Sequence, residues 1–384
     1  MSSPLPQSGP KLTDERAIDP TKERFFVASQ AQLMWWKFLK HRMAVVGGIV
    51  VIFLYLVAIF GDFIAPYNPH YRTGHPFAPP QLPRFVDNSG NFHLRPFVYG
   101  VKSQMDMTTF KRVYVPDESK VYPLKFFVRG YEYKLFGLFK TDLHLFGTDE
   151  GGVIYLCGTD QLGRDVFSRM VYGTRVSLSI GLVGVLISLV LGIILGGVSG
   201  LFGGVIDLII QRLIEVIQAF PSIPLWMTLA AALPADWSPL LVYFGITVIL
   251  SFIGWTGLAR VVRGWFLSLR NEDFVLAARL SGASESRIIF KHLLPSFLSH
   301  IIASVTLSIP GMILSETSLS FLGIGLRPPV ISWGVLLQDA QNIHAVAMAP
   351  WLLYPALLVV LAVLAFNFVG DGLRDAADPY TTAT

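Results

Sequence analysis

VSLSIGLVGVLISLVLGIILGGVSGL, residues 176–201, runs without one charged side chain. It is longer than the about 20 apolar residues a helix needs to cross a ~30 Å hydrocarbon core. A helix half-buried in a water-soluble domain would carry charges at the helical period, and none interrupts this run, so its preferred solvent is lipid. Within it and just beyond, Gly184, Ser188, Gly192, Gly196, Gly200 and Gly204 recur every four residues, a ridge of small side chains along one side of the helix. Such a ridge lets another helix approach to backbone contact, and packing inside one chain is the expected use, ahead of a subunit interface.

Working outward, the same test marks 43–65, 214–233, 240–262, 294–317 and 349–369, giving six candidate spans and an all-α integral membrane fold. The span at 214–233 is the most interrupted: Arg212 and Glu215 mark its start and Pro221, Pro224 and Pro234 break it. Neighbouring helices satisfy backbone groups freed in this way, so it still counts. Composition agrees, with 53% hydrophobic and 15% charged residues and a mean hydropathy of +0.55 over 384 residues. That is too apolar for a soluble domain. The net charge of +4 and pI of about 9.1 do not point to nucleic acid, because the bases flank apolar spans instead of forming a patch. Cys157 is the only cysteine, which excludes an intrachain disulfide and thiolate-rich metal sites. The amino-terminal residues lack an apolar run ending in a small-residue cleavage site, and the first span is too long for a signal peptide. It is expected to stay as an anchor.

Basic residues set the orientation. Lys37, Lys40 and Arg42 precede the first span, and Arg260, Arg263, Arg270, Arg279, Arg287 and Lys291 crowd the loop after the fourth, so both are expected in the cytoplasm. Residues 1–42 are then a cytoplasmic segment, 43–65 the first transmembrane helix, 66–168 a periplasmic insert, and 169–384 a five-helix core with its cytoplasmic loop at 263–293. Both termini fall inside. The insert is rich in Pro, aromatic and charged residues, and alternation in KFFVRGYEY (125–133) suggests strands or hairpins there. Its own bases do not contradict the orientation, since long loops translocate regardless of charge.

The cytoplasmic loop reads NEDFVLAARLSGASESRIIFKHLLPSF over 271–297. Phe274, Ala277, Ala278, Ile288 and Ile289 have the spacing of two short helices, with Gly282 free to take a left-handed turn between them. A surface loop held to headgroups by its arginines would need no such pattern. The stretch resembles the EAA loop of ABC-importer permeases, in which Glu-Ala-Ala, three residues, Gly, nine residues and Ile-x-Leu-Pro form the helix that docks on the nucleotide-binding subunit. Ala277, Ala278, Gly282, Leu294 and Pro295 stand at the matching positions, with Asp273, Phe274 and Ala283 beside them. Leu276 replaces the family's Glu and His292 its Ile, leaving Glu272 and Asp273 to offer acid at the helix start.

GTDQLGRDVFSRMVYGTRVSL (158–178), ETSLSFLGIGLRPP (316–329) and DGLRDAADP (371–379) also resemble the oligopeptide/dipeptide family of these permeases, specifically its C-type subunit. The likeness covers 43–65 and 157–380; the segment 66–156 exceeds the family's usual length. The resemblance implies a type I ABC-importer permease fold in the bacterial inner membrane and half of a pore for peptides or related small solutes. It further implies a second homologous permease, two ATP-binding subunits that use ATP and Mg2+, and a periplasmic solute-binding protein. This chain would bind no cofactor itself. ATPase closure would then pass through the loop to the spans as a two-state alternating-access switch.

Glu215, His300, Glu316 and Asp371 lie in or at the ends of spans, where an unpaired charge costs at least ~2.5 kcal/mol at the bilayer centre. Each is expected to face protein, water or the interface. Glu316 is read either as pore-lining, with Ser308, Thr317 and Ser320, or as a local cap; His300 lacks partners at metal-ligand spacing and is read as structural. There is no Walker A sequence, GxSxG elbow or HExxH helix, so no catalytic residues are assigned and energy must come from a partner. An ion-gradient-driven secondary transporter is the alternative. It calls for inverted repeats and ionisable groups near the midplane, and the sequence offers neither.

Overall fold

The computed structural model describes residues 30–378 except 106, 108–111, 150 and 235. Most of the 1–42 segment, and Pro379 and Tyr380 at the end of the last motif, lie outside the described residues. In chain order the helices are α1 (Gln30–Lys40), α2 (Arg42–Ile59), α3 (Gly61–Ile64), α4 (Val166–Phe202), α5 (Gly204–Ala219), α6 (Ser222–Ala231), α7 (Pro239–Leu269), α8 (Asp273–Leu280), α9 (Glu285–Arg287), α10 (Leu294–Ser296), α11 (Leu298–Phe321), α12 (Trp333–Gln338), α13 (Ile343–Met348) and α14 (Tyr354–Ala377). Among the described residues, α2, α4, α7, α11 and the stretch Pro350–Ala377 are each long and apolar enough to cross a membrane. The bent pair α5 and α6 makes a sixth if counted as one span.

The ridge of small residues accounts for the tightest helix pair. A side chain at Gly192 would meet Leu258, one at Gly196 the backbone of Ala259, and one at Gly200 the backbone of Arg263 and the Cβ of Phe266, all on α7. Ser188 donates to the Ser251 carbonyl at 3.2 Å, and Ser251 returns a bond to the Gly184 carbonyl at 3.0 Å. The ridge is therefore spent on packing within the chain. Gly204 is not part of it: with φ +58° it begins α5 and has open space around it.

Span boundaries differ from the sequence reading where proline or a cap intervenes. Asp165 caps α4 by accepting from the Ser168 amide at 2.7 Å, so residues 166–168, counted with the insert, are the first turn of the span. Residues 214–233 are not one helix. Pro221 holds the preceding Phe220 extended (φ −86°, ψ 139°), and α5 and α6 meet at an 88° bend. In 294–317 the long helix begins only at Leu298, after a wide π turn at Ile288–Leu293. Pro295 lacks the N–H that a regular ladder would use, and Phe297 leaves helical geometry (φ −124°, ψ 18°).

Residues 66–165 form the insert. Strands β1 (Arg84–Val86), β2 (Phe92–Met105) and β3 (Arg112–Pro123) pair antiparallel in that order, and β4 (Lys125–Leu135) with β5 (Phe139–Gly147) makes a separate hairpin. The stretch GTDQLGRDVFSRM ties the insert to the helices. Trp351 donates through Nε1 to the Thr159 carbonyl at 2.9 Å, and Thr159 Oγ1 accepts from Ala78 at 2.8 Å. Gly158 and Gly163 turn the chain there at φ +72°, and a side chain at either would collide, with Trp351 and with the backbone of His75 respectively. Asp160 is paired with Arg164 and the buried Arg169, which also approaches Asp339. Burial pushes the Asp339 carboxyl up, against the pull of Arg169.

Candidate functional site: the α8 loop and the Glu316 seam

The first candidate site is built on α8. Glu272 stands at its N-cap without a side-chain capping bond and Asp273 supplies the acid of the first turn, favourable at a helix N-terminus. Three residues apart on one face, Val275 and Ala278 are buried in an apolar cluster with Val262 and Phe266 of α7, Ile288, Leu293, Phe297 and Ile301 of α11. Gly282 then takes φ +77°, with its amide bonded to the Arg279 carbonyl, and Ser284 caps the short α9. Arg279 and Glu285 face each other across the turn at 3.7 Å.

The opposite face of α8 is apolar and open. Phe274, Leu276 and Ala277 are exposed, and Leu280 is 90% exposed. The two motif alanines thus divide: Ala277 faces outward and Ala278 inward. Ala283 and Leu294 are half-buried against the inner cluster and Pro295 is exposed. Leu276, where the family carries Glu, lies on the open face.

Beneath α8, aromatic rings join the two long helices. Trp265 stacks on Phe297 (5.9 Å between centroids, 5°) and on His300 (4.5 Å, 24°), and Phe266 meets Phe297 edge-on at 5.6 Å. His300 is thereby a packing residue. The arginines read as topology signals also hold the frame. Arg263 grips Asp207 with two bonds of 2.6 Å, Ser199 donates to the same carboxylate, and Arg270 donates to the Gly200 carbonyl at 3.2 Å. This pins the end of α7 to the α4–α5 elbow. Asp207 was missed by sequence reasoning; its one signal was an acid immediately after a charge-free span. Glu215 pairs with Arg212 at 2.6 Å, and Asp371 lines a polar recess with His41, His300 and Arg374.

At the other end of the bundle Glu316 is wholly buried. It accepts from Ser332 at 2.7 Å, Ser320 at 2.8 Å and Ser177 at 3.3 Å. Ser177 in turn accepts from the Trp333 amide at 3.1 Å and Ser320 from the Leu326 amide at 3.0 Å. One carboxyl therefore ties α4, α11 and the α11–α12 loop, which is where ETSLSFLGIGLRPP falls. Thr317 and Ser320 are buried with it, whereas Ser308 is half-buried and donates to the Ser304 carbonyl at 2.8 Å.

The family model described as "Binding-protein-dependent transport system inner membrane component" matches residues 188–382, and that of the N-terminal TM domain of oligopeptide transport permease C matches 29–80. The chain is 40% identical over 223 residues to the oligopeptide transport system permease protein OppC of Bacillus subtilis (strain 168), covering 58% of this chain and 70% of that protein. It is 33% identical over 352 residues to the dipeptide transport system permease protein DppC of Lactococcus lactis subsp. cremoris (strain MG1363), covering 90% and 89% respectively. That second match leaves fewer residues outside it than the insert contains, so it runs into the insert. A chain of the MetNI methionine ABC transporter, solved in inward-facing conformations, aligns over 55% of this chain and 97% of its own, with a TM-score of 0.42 and 19% identity.

Proposed function

The chain belongs to the family of binding-protein-dependent transport system inner membrane components, and from that premise we propose that it forms half of the pore of an ATP-driven peptide importer. It is a transport permease, not an enzyme. The peptide cargo follows the names of its oligopeptide and dipeptide relatives. Under this reading the chain spans the bacterial inner membrane six times, with α5 and α6 as one broken span and both termini in the cytoplasm. The insert, with its sheet and hairpin, is periplasmic, and extending the docking surface for the binding protein is its preferred role over capping the pore. A second permease, two ATP-binding subunits using ATP and Mg2+, and a solute-binding protein complete the transporter.

The observation that carries the proposal is the two-sided character of α8. Its open face, Phe274, Leu276, Ala277 and Leu280, is an apolar patch suited to a groove on an ATPase subunit, while Val275 and Ala278 key the same helix into α7 and α11. A push on α8 therefore reaches two spans together. Of the four candidate pore residues, Ser308 keeps partial exposure; the burial of Glu316, Thr317 and Ser320 supports a part for them in holding the outer seam in this conformation. Copurification of the assembled complex in mild detergent tests the docking reading. Leu280→Asp should release the ATPase subunits while the second permease stays bound. Retention of a fully active ATPase by that variant would contradict it.

A further inference from the structure

The hairpin of β4 and β5 carries a row of apolar side chains that stay exposed among the described residues. At its tip Leu138 is 77% and Phe139 66% exposed, and Phe126, Phe127 and Phe136 are exposed as well. The hairpin points along the outer end of the first span. Phe127, nearer its base, has its ring 6.2 Å from that of Phe63 in α3, and Phe136, at the tip, is 5.9 Å from Phe60 at the end of α2. From base to tip the contacts therefore step back along the helix toward the hydrocarbon. Both of these phenylalanines sit at left-handed φ, +58° and +54°. Bulky side chains avoid that region, and one is held there only where the surroundings over-determine it. Within the hairpin, the rings aimed at the end of the span are the two whose backbone is strained.

Polar groups mark the level just above the tip contact, between the two ring pairs. Tyr131 of β4 meets the Tyr172 hydroxyl at 2.9 Å; Tyr172 donates to Asp62 at 2.6 Å, and Arg175 donates to the same carboxylate at 2.8 Å. Tyrosines with ionised partners at a helix end are the composition of a headgroup zone. Lys134 and Lys140, paired across the hairpin next to the tip, are exposed and long enough to reach phosphates while their stems lie along apolar surface.

We propose that the β4–β5 hairpin dips into the outer leaflet, its tip at the headgroup–acyl boundary, so that the insert is seated on lipid beside the first span. The occupant is the bilayer because the exposed face is continuous with the lipid-facing side of α2 through the Phe60–Phe136 contact, and because a basic pair rims it. The proposal rests on α2 being a membrane span. Seated in this way, the hairpin fixes the height and tilt of the insert relative to the membrane.

The test uses the assembled transporter in nanodiscs of phosphatidylethanolamine and phosphatidylglycerol containing a nitroxide-bearing lipid. An environment-sensitive fluorophore is placed at single cysteines in a Cys157→Ala background. The native thiol is half-buried and burial pushes it up to about 12, so the replacement removes a poorly reactive competitor. Leu138→Cys is the test position, Ile52→Cys, 61% exposed on α2, the lipid control, and Leu94→Cys, 88% exposed on β2, the water control. The proposal expects lipid-nitroxide quenching at 138 several-fold above that at 94 and comparable to that at 52, with iodide quenching in the opposite order. Quenching at 138 like that at 94, with 52 quenched by lipid, overturns the proposal and leaves the span intact. Shielding of 138 from both quenchers means a protein partner covers the tip, which also overturns it. Loss of lipid quenching at 52 overturns the proposal together with the assignment of α2 as a span.

Discussion

Glu316 illustrates what a single buried carboxyl does in this protein. Three serine hydroxyls converge on it from α4, α11 and the loop before α12, so Glu316→Ala would leave them without an acceptor in a dry site. The expected loss is about 1–3 kcal/mol for each hydroxyl left unsatisfied, read as a lower melting temperature of the purified complex. Glu316→Gln keeps an acceptor oxygen and is expected to transport nearly as the wild type; a large loss of uptake without a change in stability would instead favour a pore-lining role. Asp165 shows a different effect. Burial pushes its carboxyl up to about 7, despite the Ser168 bonds that pull it down. A carboxyl raised in the folded state contributes stability that is fully present below its unfolded value of 3.8 and is lost as pH rises through about 7. Asp165→Asn keeps an N-cap acceptor, so the variant should lose less stability than the wild type between pH 5 and pH 8 in thermal melts. Neither role was legible in the sequence, because the serines around Glu316 come from positions up to 139 residues away.

At the scale of elements, the spans were readable because lipid imposes one simple condition, length without charge, which a sequence states directly. Their ends were less so. Phe220 is apolar and reads as helix, yet Pro221 holds it extended and divides 214–233; the wide turn before Pro295 likewise delays α11 to Leu298. The small-residue ridge was legible as a packing surface, but its partner was not, since nothing in the spacing says that Ala259 and Phe266 meet it. Gly196→Val is expected to destabilise the fold by about 1–3 kcal/mol or more, because the added carbons meet the Ala259 backbone, which cannot yield as a side chain can. Gly257→Ala, on the facing helix with open space around it, should be neutral by the same thermal assay and serves as the control. In α8 the sequence showed two alanines side by side; that one faces outward and the other the core follows from the phase of Val275, which the chain's own packing sets.

For the whole molecule, the bundle has two firmly braced ends and exposed apolar flanks. One end is braced by Arg263–Asp207 and the aromatic cluster, the other by Glu316, Asp160 and Trp351. Between them, large apolar side chains such as Ile49, Ile209, Val248 and Leu357 face outward, as suits helices seated in lipid. Under the proposed function, rigid ends joined by long helices favour movement of α7 and α11 as a unit when α8 is displaced, a two-state rocking and not a local deformation. The dependence on an external ATPase is the central claim. It is tested most directly by reconstituting the complete complex, with its solute-binding protein, into sealed vesicles and following labelled dipeptide. Uptake should require ATP on the side that α8 faces, persist when ion gradients are collapsed, and vanish with Gly282→Pro, whose ring cannot adopt the φ of +77° that the loop requires. Uptake driven by an ion gradient in the absence of ATP, and unaffected by that substitution, would contradict the account.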